Sequence, residues 1–326
     1  MIRILSSGAL NLVQDLGRRH CLSQGVSRSG AMDGPALGMA NRLVGNDDNA
    51  AGIEVSIFPF RISVDADTSI ACTGCQAPLT LDGCPVPAWS RIEVKAGQVL
   101  MLERPLLGVR AYLAFAGGLD VAPVMGSRST DLKGGFGGHE GRGLKRDDLL
   151  QVLPPAEAGG PIGIAPAERL AYWTSLAAGC VEVRVLPAAE HSQFNEAAHE
   201  SFYGTDYKIT AQANRVGYRL EGQPLEMVRA VELLSHGISP GTVQVPPAGQ
   251  PIIQMAEANT CGGYPKIATV VEADLWRLAQ APSGCSVRFR QVEVDEALDL
   301  HRDQLASRAH LYERMQRAMA PAAGQR

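Results

Sequence analysis

Short runs in which apolar and polar residues alternate dominate the chain between residues 2 and 118: IEVSI (53–57), RISV (61–64), RIEVKAG (91–97), QVLMLE (98–103) and VRAYLAFAGG (109–118). Successive side chains of a strand face opposite sides, so a period of two closed by Gly, Asp or Pro predicts antiparallel strands of a barrel or sandwich. One stretch breaks that period. In SGAMDGPALGMANRLVGN (29–46), Ala36, Leu37, Ala40, Leu43 and Val44 fall on one helical stripe. Ser29 or Asp33 can cap its start and Gly45 can end it, which predicts a helix that plugs or flanks the strands.

The mixture returns in the second half. VEVRVLP (181–187), YKITAQ (207–212), VGYRLEG (216–222), GTVQVPP (241–247), PIIQMAE (251–257), KIATVVE (266–272) and SVRFRQV (286–292) read as strands, while HSQFNEAAHESFYG (191–204) and EADLWRLAQ (272–280) read as helical. From 134 to 168 the chain is rich in Gly, Pro and Ala, and QVLPPAEAGGPIGIAPAE (151–168) is its clearest linker-like piece. The expected organisation is therefore a β-rich half over 1–155, a second over 170–293, and a charged helical tail over 294–326. Leu298, Leu300, Leu305 and Leu311 are too irregularly spaced for a heptad, so the tail is expected to dock as a single helix.

Charge narrows the range of partners. The formal net charge of -4 and a pI near 6.0 provide no basic field for a phosphodiester backbone or an anionic membrane. Arg3 and Ser6 interrupt the first apolar stretch, and no run approaches the roughly 18 apolar residues of a membrane span, so a cytoplasmic protein is expected. Seven cysteines, an odd number, point to reduced thiols. Cys72, Cys75 and Cys84 lack a fourth ligand at zinc spacing, so no metal site is expected. Cys261 becomes a nucleophile candidate only with a base such as His139 or His236 beside it.

Two glycine-rich segments carry the candidate chemistry. In GSRSTDLKGGFGGHEGRGLKRDDLL (126–150), Ser127, Ser129 and Thr130 bring hydroxyls, Asp131 lies among them, and Arg128, Lys133, Arg142, Lys145 and Arg146 bring positive charge. Gly134, Gly135, Gly137, Gly138, Gly141 and Gly143 allow positive φ and close backbone approach, which suits an anion; the alternative is a surface loop whose charges are solvated. No Gly-Lys-Ser/Thr triplet follows, so this is not a P-loop.

The second segment is PIIQMAEANTCGGYPKIATV (251–270). Its strand delivers Gln254 and Glu257, its turn Asn259, Thr260, Gly262 and Gly263, and Tyr264 and Lys266 open the next strand. A lysine beside approachable backbone can neutralise a carboxylate or a developing oxyanion, and Glu257 can steer a proton; the alternative is a plain hairpin with Lys266 in water. Lysine usage favours chemistry, since Lys133, Lys145 and Lys266 are three of only five lysines against twenty-five arginines. A third cluster, Asp15, Arg18, Arg19, Gln24, Arg28, Ser29 and Asp33, crowds the start of the first helix, where orphan N–H groups attract anions.

These motifs resemble those of a known family. QDLGR (14–18), SGAMDGPALGMANRLVGN (29–46), CTG (72–74), RAYLAFAGGLDVAPVMGSRSTDL (110–132), GGHEGRGL (137–144), RVGYRLEG (215–222), GTVQVPPAGQPII (241–253) and GGYPKIATV (262–270) are similar to the biotin-dependent carboxyltransferase family, that of the 5-oxoprolinase C component, also described as allophanate hydrolase subunit 2-like or kinase-inhibitor antagonist. The resemblance implies a mainly β chain of tandem cyclophilin-like β-barrel units with a few short helices. It implies one component of an ATP-dependent 5-oxoprolinase, a hydrolase acting on a cyclic amide, with A-like and B-like proteins of the same complex as partners. ATP would bind in the complex, at a site that is shared between its components or held elsewhere.

Two alternatives accompany it: a carboxyltransferase component acting on urea or a related amide, and a non-catalytic antagonist of a kinase inhibitor. No lysine is flanked by methionines as a biotin acceptor would be, so biotin would have to ride on another protein. Carried over by motif, Arg128, Ser129, Thr130, Asp131 and Arg142 with Gly262, Gly263, Tyr264 and Lys266 are expected to share one cleft.

Overall fold

The alternating runs of the first half become strands, and these divide between two sheets. In chain order they are β1 (Ile2–Ser6), β2 (Leu12–Gln14), β3 (Gly52–Val55), β4 (Phe60–Val64), β5 (Thr68–Gln76), β6 (Leu79–Leu81), β7 (Cys84–Pro85), β8 (Arg91–Val94), β9 (Val99–Leu102), β10 (Leu107–Phe115) and β11 (Leu149–Leu150). One sheet runs β11-β1-β4-β9-β6-β7 and the other β2-β3-β10-β5-β8. Alternate residues of the two, such as Ile2, Ile4, Ile62 and Leu100 against Ile53, Ile70, Leu113 and Phe115, form one buried core. This computed structural model describes residues 1–155, 160, 162–229 and 232–319. The chain folds as two compact units, the first made of Met1–Arg19, Ser29–Arg169 and the described residues from Ser307, the second of His20–Arg28 and Leu170–Ala306.

β5 and β10 are buried on both faces because a helix covers the side away from the core. This helix, α1 (Gly34–Leu43), starts where Asp33 Oδ1 accepts the Ala36 amide at 3.1 Å, has Pro35 in its first turn, and is followed by Gly45 at φ 83°. Of the two capping candidates, Asp33 is the one used. Leu37, Ala40, Leu43 and Val44 pack on Ala71, Tyr112, Ala114 and Ala116. Under the helix start, Arg169 grips the Asp33 carboxylate at 2.7 and 2.8 Å, and the Tyr112 hydroxyl donates to Glu54 Oε2 at 2.8 Å while accepting the Asp33 amide. All four side chains are at most 1 % exposed; Arg169 answers Asp33, and Arg110, with Nε 3.8 Å from Glu54 Oε1, faces the second carboxylate where water cannot solvate it.

Arg169 belongs to a helix that the composition concealed. α2 (Ala167–Ala177) begins inside the stretch expected to be a linker, of which residues 156–159 and 161 lie outside the described residues. Arg169, Tyr172, Trp173 and Leu176 recur at helical spacing and are buried, with the Tyr172 ring edge-on to Trp276 at 4.8 Å. Pro and Gly upstream masked that stripe.

The second unit is a closed barrel. Its elements are β12 (Cys180–Pro187), α3 (Glu196–Gly204), β13 (Tyr207–Ile209), β14 (Gly217–Glu221), β15 (His236–Gly237), β16 (Thr242–Gln244), β17 (Ile252–Gln254), β18 (Cys261–Gly262), β19 (Lys266–Val270), α4 (Leu275–Gln280), β20 (Ser286–Gln291) and the part of α5 (Val294–Met319) up to Ala306. The barrel order is β12-β19-β16-β17-β14-β13-β20, closed by a parallel pairing of β12 with β20. Val181, Val183, Val185, Val243, Ile253, Leu220, Ile209, Val287 and Phe289 are fully buried and alternate with outward residues, so the interior is filled by side chains. The ribbon β15–β18 stands outside the barrel order. Closure is thus seen in the second unit, whereas the first keeps two sheets.

α5 forms where the docked tail was expected, with 320–326 outside the described residues. In the second unit Ala297 and Leu300 pack on Val271, Ala273 and Val292. In the first, Leu311, Tyr312 and Met315 join the α1 cluster. No helix among the described residues is long and apolar enough to cross a membrane. All seven cysteines are free thiols; Cys72 and Cys75 belong to the first core, where burial pushes the Cys72 thiol up to about 12. Among the described residues no group of His, Cys, Asp and Glu is placed to hold a metal ion.

Candidate functional site

In the first glycine-rich segment the hydroxyls face inward, toward one buried carboxylate. Asp15, 1 % exposed, accepts from Ser127 Oγ at 2.6 Å, Ser129 Oγ at 2.5 Å, the Arg128 amide at 2.6 Å and the Gly17 amide at 2.8 Å. Thr130 donates its hydroxyl and its amide to the Val13 carbonyl, and Asp131 Oδ1 accepts the Gly134 amide at 2.8 Å. The glycines serve the same packing. At Gly137 (φ 71°) a Cβ would stand 2.2 Å from the Ser129 carbonyl oxygen, and at Gly138 (φ 53°) 1.9 Å from Thr130 Oγ1. Close approach is what these positions need; the near neighbours are parts of the loop itself and, at Gly137, the Arg18 guanidinium at 2.4 Å.

The charges of this segment divide in two. Arg128 Nε donates to the Val121 carbonyl at 3.0 Å, and Arg142 is held by Asp148 at 2.7 Å and Glu140 at 2.7 Å. Lys133, Lys145 and Arg146 are exposed. Burial works to raise the Asp148 carboxyl, but the Arg142 hydrogen bond, the Lys145 amide and the nearby cations together hold it at about 2. Since an ordinary aspartate titrates near 3.9 when unfolded, the stabilisation is present above about pH 4 and is lost as pH falls through about 2. Arg142→Met is therefore expected to cost about 1–2 kcal/mol at pH 6, with the gap to the parent closing between pH 4 and pH 2. Thermal melts across that range check it, and a gap that stays constant with pH refutes the assignment.

The second segment holds a different arrangement. Glu257, 2 % exposed, accepts Arg215 Nε at 2.8 Å while its amide donates to the Arg215 carbonyl at 2.8 Å, which anchors the turn beyond β17. Lys266 is 7 % exposed, and its Nζ is buried without a hydrogen-bond partner among the described residues. Its amide donates to Glu190 Oε2 at 3.0 Å, and His236 Nε2 stands 4.0 Å from Glu190 Oε1. Lys266 forms part of the wall of an open cavity of about 500 Å³ that Thr242, Thr260, Thr269, Ser239 and Ile238 also line.

A register shift explains why this lysine is not in the barrel core. On β19, Val270 and Ala268 face inward opposite Val185 and Val243. Strict alternation would send Lys266 the same way. Instead β19 carries one extra residue, so that Gln244, not Val245, is opposite Lys266, and the ammonium turns to the outer face. There it meets a polar row. Gln254 Nε2 donates to Gln244 Oε1 at 2.9 Å, and Gln244 Nε2 reaches the Tyr264 carbonyl at 3.5 Å. The ribbon covers the row: a Cβ on Gly262 would lie 2.7 Å from Gln244 Nε2, and one on Gly263 2.9 Å from the Leu233 carbonyl oxygen. Gly262 thus fits against the amide beneath it and Gly263 against main chain.

Of the expected residues, Lys266 and Thr260 line the cavity of the second unit and Gln254 and Gly262 both meet Gln244, while Gly263 lies against Leu233 and the Tyr264 side chain is 48 % exposed. Arg128, Ser129, Thr130, Asp131, Lys133 and Arg142 belong to the first unit. Gln244, Thr242 and Glu190 were not singled out in the sequence; the usable signal was the TVQ triplet, polar on both sides of a buried valine. Cys261 does not pair with His236. In the β15–β18 ladder Cys261 is opposite Gly237 and His236 opposite Gly262, so the two side chains point to opposite faces. His139 lies 3.5 Å from Asp148.

Comparison with known proteins places this geometry in context. Residues 24–291 match the family model described as carboxyltransferase domain, subdomain A and B. The chain is 44 % identical to the C component of 5-oxoprolinase from Escherichia coli over 93 % of this chain and 95 % of that one, and 39 % identical to the Haemophilus influenzae protein of the same name over 93 % and 94 %. In three dimensions it resembles the Kluyveromyces lactis urea carboxylase with a TM-score of 0.84 at 26 % identity, covering 99 % of this chain and 30 % of that one.

Proposed function

We propose, since the chain belongs to the family of carboxyltransferase domains with subdomains A and B, that it serves as a subunit of an ATP-dependent 5-oxoprolinase, which opens 5-oxo-L-proline to L-glutamate. The observation that carries this reading is the extent of the match. The 5-oxoprolinase relatives are covered over 94–95 % of their length, whereas the urea carboxylase chain is covered over 30 %.

Within that reading Lys266 holds the anionic group of the substrate or the oxyanion that develops when the lactam carbonyl is attacked. A buried ammonium without a protein partner stabilises such charge strongly, because little solvent screens it. Glu257, locked to Arg215, sets the turn that presents Thr260, Gly262, Gly263 and Tyr264. The inward hydroxyls of Ser127, Ser129 and Thr130 do not suit a nucleotide phosphate, so no step through ATP is assigned to them. A-like and B-like proteins complete the assembly, and ATP supplies the driving force for opening a stable ring amide.

The test is glutamate release from 5-oxoproline and ATP by this chain mixed with purified A-like and B-like proteins, each omitted in turn. Activity that requires all three is expected; full activity without this chain overturns the proposal. The likeness to urea carboxylase favours a second reading, carboxyl transfer to urea from biotin carried on another protein. Association without glutamate release, together with urea-dependent turnover that avidin blocks, would select it. Stable association without any turnover would select the regulatory antagonist.

A further inference from the structure

The polar row outside the barrel has a direction, and the direction constrains what can bind. At one end the acceptor is a main-chain carbonyl, that of Tyr264, which cannot donate. Gln244 must turn its NH₂ toward it and its Oε1 toward Gln254, which in turn must present its own NH₂. The atom left over is Gln254 Oε1. It is buried and without a partner among the described residues, as is Lys266 Nζ. One leftover atom is an acceptor and the other a cationic donor, and leaving each buried polar group unmatched costs about 1–3 kcal/mol.

We infer that Lys266 and Gln254 form a two-point subsite for a small cyclic amide, Lys266 taking its carboxylate and Gln254 Oε1 its ring N–H. Lys266 lies on β19, Gln244 on β16 and Gln254 on β17, successive strands of the barrel with these side chains on one face. Neighbouring strands are about 4.8 Å apart and Gln254 lies two residues along from the level of Lys266, so the two residues start about 12 Å from each other and the side chains shorten that gap. Two hydrogen bonds of about 2.9 Å with a carboxylate and N–H borne on adjacent ring atoms between them fit this span. The open cavity with Lys266 in its wall, flanked by Thr242, Thr260 and Thr269, is the side from which such a ligand arrives. Gln254 thereby becomes a specificity-determining residue, selecting a lactam over a lactone of identical shape, whose ring oxygen would face Gln254 Oε1 as acceptor against acceptor.

This assignment rests on the 5-oxoprolinase reading for its ligand, and its test separates the two. Calorimetric titration of the full-length chain alone uses three probes: 5-oxoproline, its lactone counterpart with oxygen in place of N–H, and 2-pyrrolidinone, which keeps N–H and lacks the carboxylate. The expected result is binding of 5-oxoproline, with both analogues weaker by about tenfold or more. Gln254→Met should erase the preference for lactam over lactone, and Lys266→Met the preference for the carboxylate, with near-ultraviolet circular dichroism unchanged. Equal affinity of the parent chain for lactam and lactone overturns the subsite without recourse to any variant. So does absence of 5-oxoproline binding to the chain when the assembled complex still releases glutamate, an outcome that leaves the proposed function standing. Selective binding by a chain whose complexes never release glutamate would uphold the subsite and remove the function.

Discussion

Lys266→Met is expected to abolish glutamate release by the reconstituted complex while making the chain more stable. The two effects have one cause. The ammonium is buried at 7 % exposure with no hydrogen-bond partner among the described residues, so folding removes its hydration without replacing it. Methionine keeps the length and apolar stem of the side chain and removes that cost, for a gain of about 1–3 kcal/mol. Loss of the charge that faces the substrate should lower kcat/KM by about 10²–10³-fold or more, the scale seen when a preorganised stabilising group is removed from an active site. Thermal melts and the reconstituted assay read both. A variant that melts lower and works normally would show that Lys266 is a structural residue.

The second large effect is expected at Asp15. Its carboxylate accepts from Ser127 Oγ, Ser129 Oγ and the Arg128 and Gly17 amides at 2.5–2.8 Å inside the first unit. Asp15→Ala leaves these donors facing an apolar methyl in a site water does not reach, at a cost of about 3–5 kcal/mol. For a unit of this size that corresponds to a fall in melting temperature on the order of 10 °C. Arg128→Ala provides the contrast, since Asp15 is bonded to the Arg128 main chain and not to its guanidinium. Removing that side chain should change stability by less than about 1 kcal/mol. Similar melting temperatures for Asp15→Ala and the parent would mean that the carboxylate does not organise the loop.

How far the sequence could be read follows from where each pattern originates. VEVRV in β12 was legible because one side of the strand faces the barrel interior and the other solvent, so burial and sequence share a period of two. β5, TSIACTGCQ, offers no such alternation because α1 covers its second face. β7, β15 and β18 are two residues each, too short to display any period. α2 was hidden because the Pro and Gly before it dominate the local composition.

The site was half legible for similar reasons. Lys266 stood out because lysine is scarce in an arginine-rich chain. Gln244 did not, since a polar residue after Val243 reads as an outward strand position, which it is; only the ribbon above it makes it buried. Serines and glycines in SRST and GGFGG suggested an anion, and one exists, but it is the chain's own Asp15, 112 residues before Ser127. Sequence spacing carries no trace of a partner that distant.

The extra residue in β19 makes the face on which Lys266 appears a matter of chain length as much as of residue type. Removing Ile267 would restore strict pairing with Lys266 still opposite Gln244 on the outer face, whereas one residue added to β16 between Val243 and Gln244 would restore it by sending Lys266 and Gln244 into an interior of valine, isoleucine and phenylalanine. An insertion at this point of β16 is therefore more damaging than most substitutions nearby. Natural variants and designed chimaeras that preserve the pairing of Gln244 with Lys266 should keep a usable site even where the side chains around them change.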